Sequence, residues 1–103
     1  MLTVAETPTF SARRRDYWTE EEFGEFCAWL ARNPGAGDVI RGSGGCRKVR
    51  WAASGRGKSG GMRVIYYRQT EQQKLWLLVA YAKNVRATIP ANVLRQIRET
   101  IDG

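Results

Sequence analysis

The sequence predicts an α+β domain, a curved antiparallel sheet with N-terminal and C-terminal helices packed on one face. Three observations carry this reading. TEEEFGEFCAWLARNPG, starting at Thr19, has helix start and stop signals around a 3.6-residue apolar stripe. Three strand-like stretches then follow one another: CRKVRWAA, MRVIYYRQT and KLWLLVAYAK. PANVLRQIRETI closes the chain as a second amphipathic helix.

Residues 2–10, LTVAETPTF, read as a first strand, which Pro8 places at a sheet edge or ends early. SARRRDYW reads as a short helix or turn, with Arg13, Arg14 and Arg15 on a solvated face. Thr19 and Glu22 form a capping box, and three glutamates sit where the helix dipole favours negative charge. Phe23, Phe26, Cys27 and Leu30 give that helix one buried stripe, and Asn33-Pro34-Gly35 stops it. GDVIRGSGG is a glycine-rich connection anchored by Val39 and Ile40.

In CRKVRWAA, Cys46, Lys48 and Arg50 point to one side of the strand, and Arg47, Val49 and Trp51 to the other. The next two strands are joined by the polar turn TEQQ, and the second is nearly all apolar, as a central strand would be. Short connections imply that the last three strands pair antiparallel. In the final helix Pro90 suits the first turn, and Leu94, Ile97 and Ile101 form the buried face.

The 103 residues suit a single domain, 1–103, and 43% hydrophobic content suits a folded one. No apolar run approaches the roughly 20 residues of a membrane span, and no signal peptide is expected at the N-terminus, so the expected location is cytoplasmic, with no membrane partner. Two cysteines and no histidine make neither a disulfide framework nor a plausible zinc site. Cys27 and Cys46 read as small buried hydrophobes. The net charge of +7 favours an anionic partner.

SGRGKSGGMRVIYY, residues 54–67, poses the functional question. Gly57-Lys58-Ser59 matches the end of a phosphate-loop motif, but the leading glycine falls on Ala52. That loop must also open a helix whose amides hold the phosphates, and a strand follows here. The remaining reading is a long, mobile, basic hairpin loop over 54–61, in which Arg56 and Lys58 can reach a phosphodiester chain. Lys48, Arg50, Arg63 and Lys83 then line one concave surface if the strands share a face. Like charges on adjacent strands repel. An anionic ligand is the simplest compensation.

NPGAGDVIRGSGGCRKVRWAASGRGKSGGMRVIYY, followed by LLVAYAKN, resembles the RelE/HigB toxins of bacterial type II toxin–antitoxin modules, most of all the HigB-type, phage-Gp49-like branch. The resemblance runs from Asn33 to about Asn84. It implies a RelE-like fold and a ribosome-dependent messenger-RNA endonuclease that cuts the codon in the ribosomal A site. It implies no metal and no cofactor. The implied partners are the ribosome, messenger RNA and a cognate antitoxin of helix-turn-helix, HigA-like type. Residue by residue, it places catalytic cations at Lys48, Arg50, Arg63 and Lys83, with Asn84 beside the last; Asn84, together with Arg47 and the loop cations Arg56 and Lys58, is expected to contact RNA or the ribosome. The family often continues Y-x-K-N-E, whereas Val85 follows Asn84 here. The RelE branch has an arginine where Asn84 stands and a functional tyrosine where Pro90 stands, so neither role transfers.

RNA can be cut without metal because its 2′-hydroxyl is an internal nucleophile. Histidine usually handles the proton steps, and this chain has none. A lysine crowded by cations can serve as base; both Lys48 and Lys83 qualify, with Lys48 favoured. Arginine cannot, so Arg50 and Arg63 are expected to clamp the phosphate. Two other classes compete: an RNA- or ribosome-binding protein that uses tryptophans as a stacking platform, and a gyrase-poisoning toxin on the same fold.

Overall fold

The computed structural model describes residues 2–51, 61–82 and 89–102. Most of the expected basic loop, with Arg56 and Lys58, lies outside the described residues, as do Lys83 and Asn84.

The elements run β1 (Thr3–Glu6), α1 (Pro8–Arg14), α2 (Glu20–Arg32), β2 (Asp38–Val39), β3 (Arg47–Trp51), β4 (Met62–Gln69), β5 (Lys74–Ala82) and α3 (Ala91–Asp102). A 3-10 turn at Thr70–Gln72 makes the predicted polar connection between β4 and β5, and Gln73 takes the left-handed conformation there. The five strands form one sheet in the order β1-β5-β4-β3-β2. The three long strands pair antiparallel, as expected. β1 instead joins β5 in parallel, so the sheet is mixed at one edge. A long intervening chain separates these two strands, and a long crossover is what a parallel pair requires.

The first strand lies at the sheet edge and stops before Pro8, as the proline implies, and so fills only part of residues 2–10. It ends at Glu6, and Pro8 begins α1. The Thr7 side chain accepts the Phe10 amide as the N-cap, and Pro8 sits in the first turn, where its missing N–H costs nothing. Thr7 Oγ1 also donates to the Leu78 carbonyl at 2.8 Å. At this point β5 carries an extra residue: Ile65 pairs Val79 and Tyr66 pairs Leu77, with Leu78 left between them. The Thr7 hydroxyl satisfies a carbonyl at this bulge.

Arg14 is likewise not on a solvated face. Its side chain is only 12% exposed; Nε lies 2.8 Å from Glu6 Oε1, and Nη1 lies 2.9 Å from Glu20 Oε2. The guanidinium covers the Phe23 ring at 4.1 Å. Arg13 and Arg15 are exposed, as expected.

Helices cover both faces of the sheet, not one. Phe10, Phe26 and Leu30 from α1 and α2 pack with Val64, Tyr66, Leu75 and Leu77. Leu94, Ile97 and Ile101 from α3 pack with Ile65, Tyr67, Trp76 and Leu78 on the opposite side. β4 and β5 are apolar at consecutive positions, and a strand apolar on both sides must be covered on both. The capping box at Thr19 and the stripe along α2 form as predicted.

The connection after α2 is pinned from below. The buried Tyr66 hydroxyl donates to the Pro34 carbonyl at 2.9 Å and accepts the Gly37 amide at 3.2 Å. Ile40 packs into the α3-side core, but Val39 is 57% exposed at the sheet edge and anchors nothing. A Cβ on Gly37 would stand 2.5 Å from the Lys48 carbonyl oxygen and 2.8 Å from its carbon. Gly37→Ala is therefore expected to push β2 off β3 and to destabilise the fold by about 1–3 kcal/mol. Thermal melts, with amide exchange across the Asp38–Lys48 pair, check this; an unchanged melt and preserved protection would contradict it.

Candidate functional site

β3 alternates sides as its sequence requires. Val49 and Trp51 enter the core under α1 and α2, and Cys46, which leads into the strand, enters the core under α3. Lys48 and Arg50 therefore project on the α3 side, and both are exposed. Pairing with β4 sets Arg50 directly opposite Arg63 and Lys48 opposite Ile65. Pairing with β5 sets Arg63 opposite Tyr81. Arg50, Arg63 and Tyr81 thus form one row across three strands. Neighbouring strands lie about 4.8 Å apart, so the two guanidinium stems rise side by side. Directly opposed like charges destabilise a sheet pair, so this arrangement favours an anion between them.

Arg47 is not part of this group. It points to the other side, where Nη1 donates to the Gly37 carbonyl at 2.7 Å and the Gly35 carbonyl at 3.3 Å. It closes the α2–β2 connection instead of facing the open surface. Of the eight residues singled out from sequence, the structure brings together Lys48, Arg50 and Arg63; Arg56, Lys58, Lys83 and Asn84 lie outside the described residues.

The sequence reading missed the arginines of α3. A Cβ on Gly44 would lie 2.9 Å from Arg98 Cδ and 3.3 Å from Arg95 Cγ, so α3 lays both stems against the turn that feeds β3. Gly44 has φ +79, a left-handed conformation suited to glycine, and it leaves room for those stems. Arg98 is held by Asp102 at 3.5 Å and covers the Tyr67 ring. Asp102 also accepts the Tyr67 hydroxyl at 2.8 Å and the Gln69 amide at 3.0 Å. Arg95 is exposed beside this turn. The spacing of Arg95 and Arg98 places them on one flank of a helix, but nothing local says which turn that flank meets.

The tryptophans make no stacking platform. Trp18 is buried and stacks on Phe26 at 4.9 Å; Trp29 and Trp51 pack at 4.8 Å in the same cluster. Trp76 lies in the α3-side core and donates to Gln69. The cysteines are structural, as expected. Burial pushes the Cys27 thiol up to about 11, and burial also raises Cys46, against the opposing effect of its contact with Ser43. Neither is an activated nucleophile at neutral pH.

What remains among the described residues is a cationic sheet face with two guanidinium groups and an ammonium. It can hold a phosphodiester and offset charge that develops on it.

No protein-family profile matches the sequence. Solved structures do. The chain is similar to the toxin in the intact E. coli RelBE toxin–antitoxin complex, with 17% identity and a TM-score of 0.62 over 84% of this chain and 100% of that one. It is similar to the isolated E. coli RelE toxin, with 16% identity and a TM-score of 0.61 over 94% and 99%. An arginine double mutant of E. coli RelE in the free state matches with 14% identity and a TM-score of 0.65 over 94% and 96%. The mixed sheet, the helices on both of its faces and these likenesses lead to one conclusion: the chain has the RelE-like α+β fold.

Proposed function

We propose that this chain is the toxin of a type II toxin–antitoxin module, of the HigB-type branch, and that it cuts messenger RNA in the ribosomal A site without metal. The observation that carries the reading is the direct cross-strand pairing of Arg50 with Arg63, with Lys48 on the same side of the sheet. The fold shared with RelE supports it, and the RelBE complex suggests a small antitoxin as partner, here of helix-turn-helix, HigA-like type.

In the proposed reaction the 2′-oxygen of the nucleotide attacks the adjacent phosphorus. A 2′-O–P bond forms, the P–O5′ bond breaks, and the 2′-proton leaves as the 5′-oxygen gains one. Arg50 and Arg63 clamp the phosphate and offset the phosphorane charge. Lys48, on the same face, accepts or supplies a proton, with Lys83 as the second candidate. Ribosome dependence fits this chemistry. With no histidine to move protons, positioning must supply much of the rate, and a near-attack geometry contributes up to about 7–11 kcal/mol.

The test is incubation of the purified chain with translating ribosomes, followed by mapping of the messenger-RNA ends. The expected products are cut within the A-site codon and end in a 2′,3′-cyclic phosphate. Intact transcripts on ribosomes that bind the chain would favour a non-catalytic ribosome binder. DNA breaks without translation arrest would favour gyrase poisoning.

A further inference from the structure

The cationic row ends on Tyr81. β4 and β5 carry three tyrosines, Tyr66, Tyr67 and Tyr81. Two have committed their hydroxyls to the fold: Tyr66 to Pro34 and Gly37, and Tyr67 to Asp102. The Tyr81 hydroxyl has no hydrogen-bond partner among the described residues. Its ring packs against the α3-side core, so the side chain is held by that packing. Its Cα is the direct partner of the Arg63 Cα, on the face that carries Lys48 and Arg50.

Resting on the endoribonuclease reading, we propose that the Tyr81 hydroxyl donates a hydrogen bond to the RNA phosphate clamped by Arg50 and Arg63. Side chains directly opposite on paired strands stand about 4.5–5.5 Å apart at Cβ, and Tyr and Arg are both long, so their polar ends reach the same small anion. The placement also suits the chemistry. Burial pushes the phenol up, and the nearby Arg63 charge only partly opposes this, so the group stays protonated at neutral pH. It is then a donor, suited to an anionic oxygen and unsuited to take the 2′-proton. Packing of the ring fixes the donor before RNA arrives, which lowers the ordering cost of binding.

The experiment compares Tyr81→Phe and Tyr81→Leu with the wild type in single-turnover cleavage on programmed ribosomes, alongside ribosome binding and thermal melts. Tyr81→Phe is expected to cleave about 10–100-fold more slowly at saturating ribosome, the loss typical of one hydrogen bond to a charged group. Its melting temperature and ribosome affinity are expected to match the wild type. If Tyr81→Phe cleaves normally and Tyr81→Leu is slow, the ring stacks on a base and the hydrogen-bond role is overturned. If both cleave normally, or if Tyr81→Phe melts earlier, Tyr81 belongs to the core alone and the proposal falls. A wild-type chain that cleaves nothing overturns the endoribonuclease reading itself; a wild type that cleaves beside an equally active Tyr81→Phe overturns only the role of Tyr81.

Discussion

Arg63→Ala is expected to lower single-turnover cleavage at saturating ribosome by about a hundredfold or more while leaving the melting temperature nearly unchanged. The two halves of this expectation come from one feature of β4. Met62, Val64 and Ile65 are buried and hold the strand in the sheet, while Arg63 between them is half-buried on the α3 side. Its truncation opens no core cavity, so the stability change should stay within about 0.5 kcal/mol. Removing one of two opposed guanidiniums also relieves a cross-strand repulsion with Arg50, which offsets lost packing. Activity has no such compensation, because in the proposed reaction the clamp acts on charge that develops in the transition state. Arg63→Lys should recover part of the rate, since it restores the charge but not the planar fork. Single-turnover cleavage beside thermal melts separates the effects. If Arg63→Ala cleaves normally, the paired arginines are not the reaction site and the basic face is only a docking surface.

Arg14→Ala should have the largest effect on stability, about 3 kcal/mol, while leaving the chemistry of the folded fraction intact. Arg14 joins three elements: it binds Glu6 at the end of β1, Glu20 at the start of α2, and covers Phe23. Its truncation strands Glu6, whose remaining partner among the described residues is the Ser11 hydroxyl at 2.9 Å. A half-buried carboxylate left with half its partners is costly. For a domain of this size the expected fall in Tm is more than about 10 °C. The pair Arg14→Met with Glu6→Leu removes both charges and should be much closer to the wild type than Arg14→Ala alone. A small loss in Arg14→Ala, or a double variant that is worse than the single, would show that the ion pair contributes little.

Both predictions depend on residues whose roles were unequally legible in the sequence. α2 was legible throughout: the capping box, the acidic first turn, the buried stripe and the Asn33-Pro34-Gly35 stop are all local signals, and all form. The face shared by Lys48 and Arg50 was legible as well, because side chains alternate along a strand whatever it pairs with. The start of α1 could have been read. Thr7 followed by Pro8 is an N-cap followed by a favoured first residue, whereas Pro8 read by itself marks only a sheet edge or an early strand end.

Local sequence left out β2 and gave the start of α1 to a strand, but it sufficed for α2, α3 and the three long strands, for which positions are apolar, and for two cations on the same side of one strand. These follow from backbone sterics and periodicities of 3.6 and 2, which act within a few residues. Only the tertiary structure decided that Arg63 stands opposite Arg50, since a slip of one residue would have sent it to the other face. It also decided that β1 joins β5 in parallel, that α3 covers the side opposite α1 and α2, and that Arg14 is largely covered while Arg13 and Arg15 are exposed. The strand pairings and the placement of α3 depend on partners far away in the chain, and the burial of Arg14 on how α1 is folded between Glu6 and Glu20. The chosen pairing is the one that covers both apolar faces of β4 and β5 at once, a condition on the whole chain that no single segment contains.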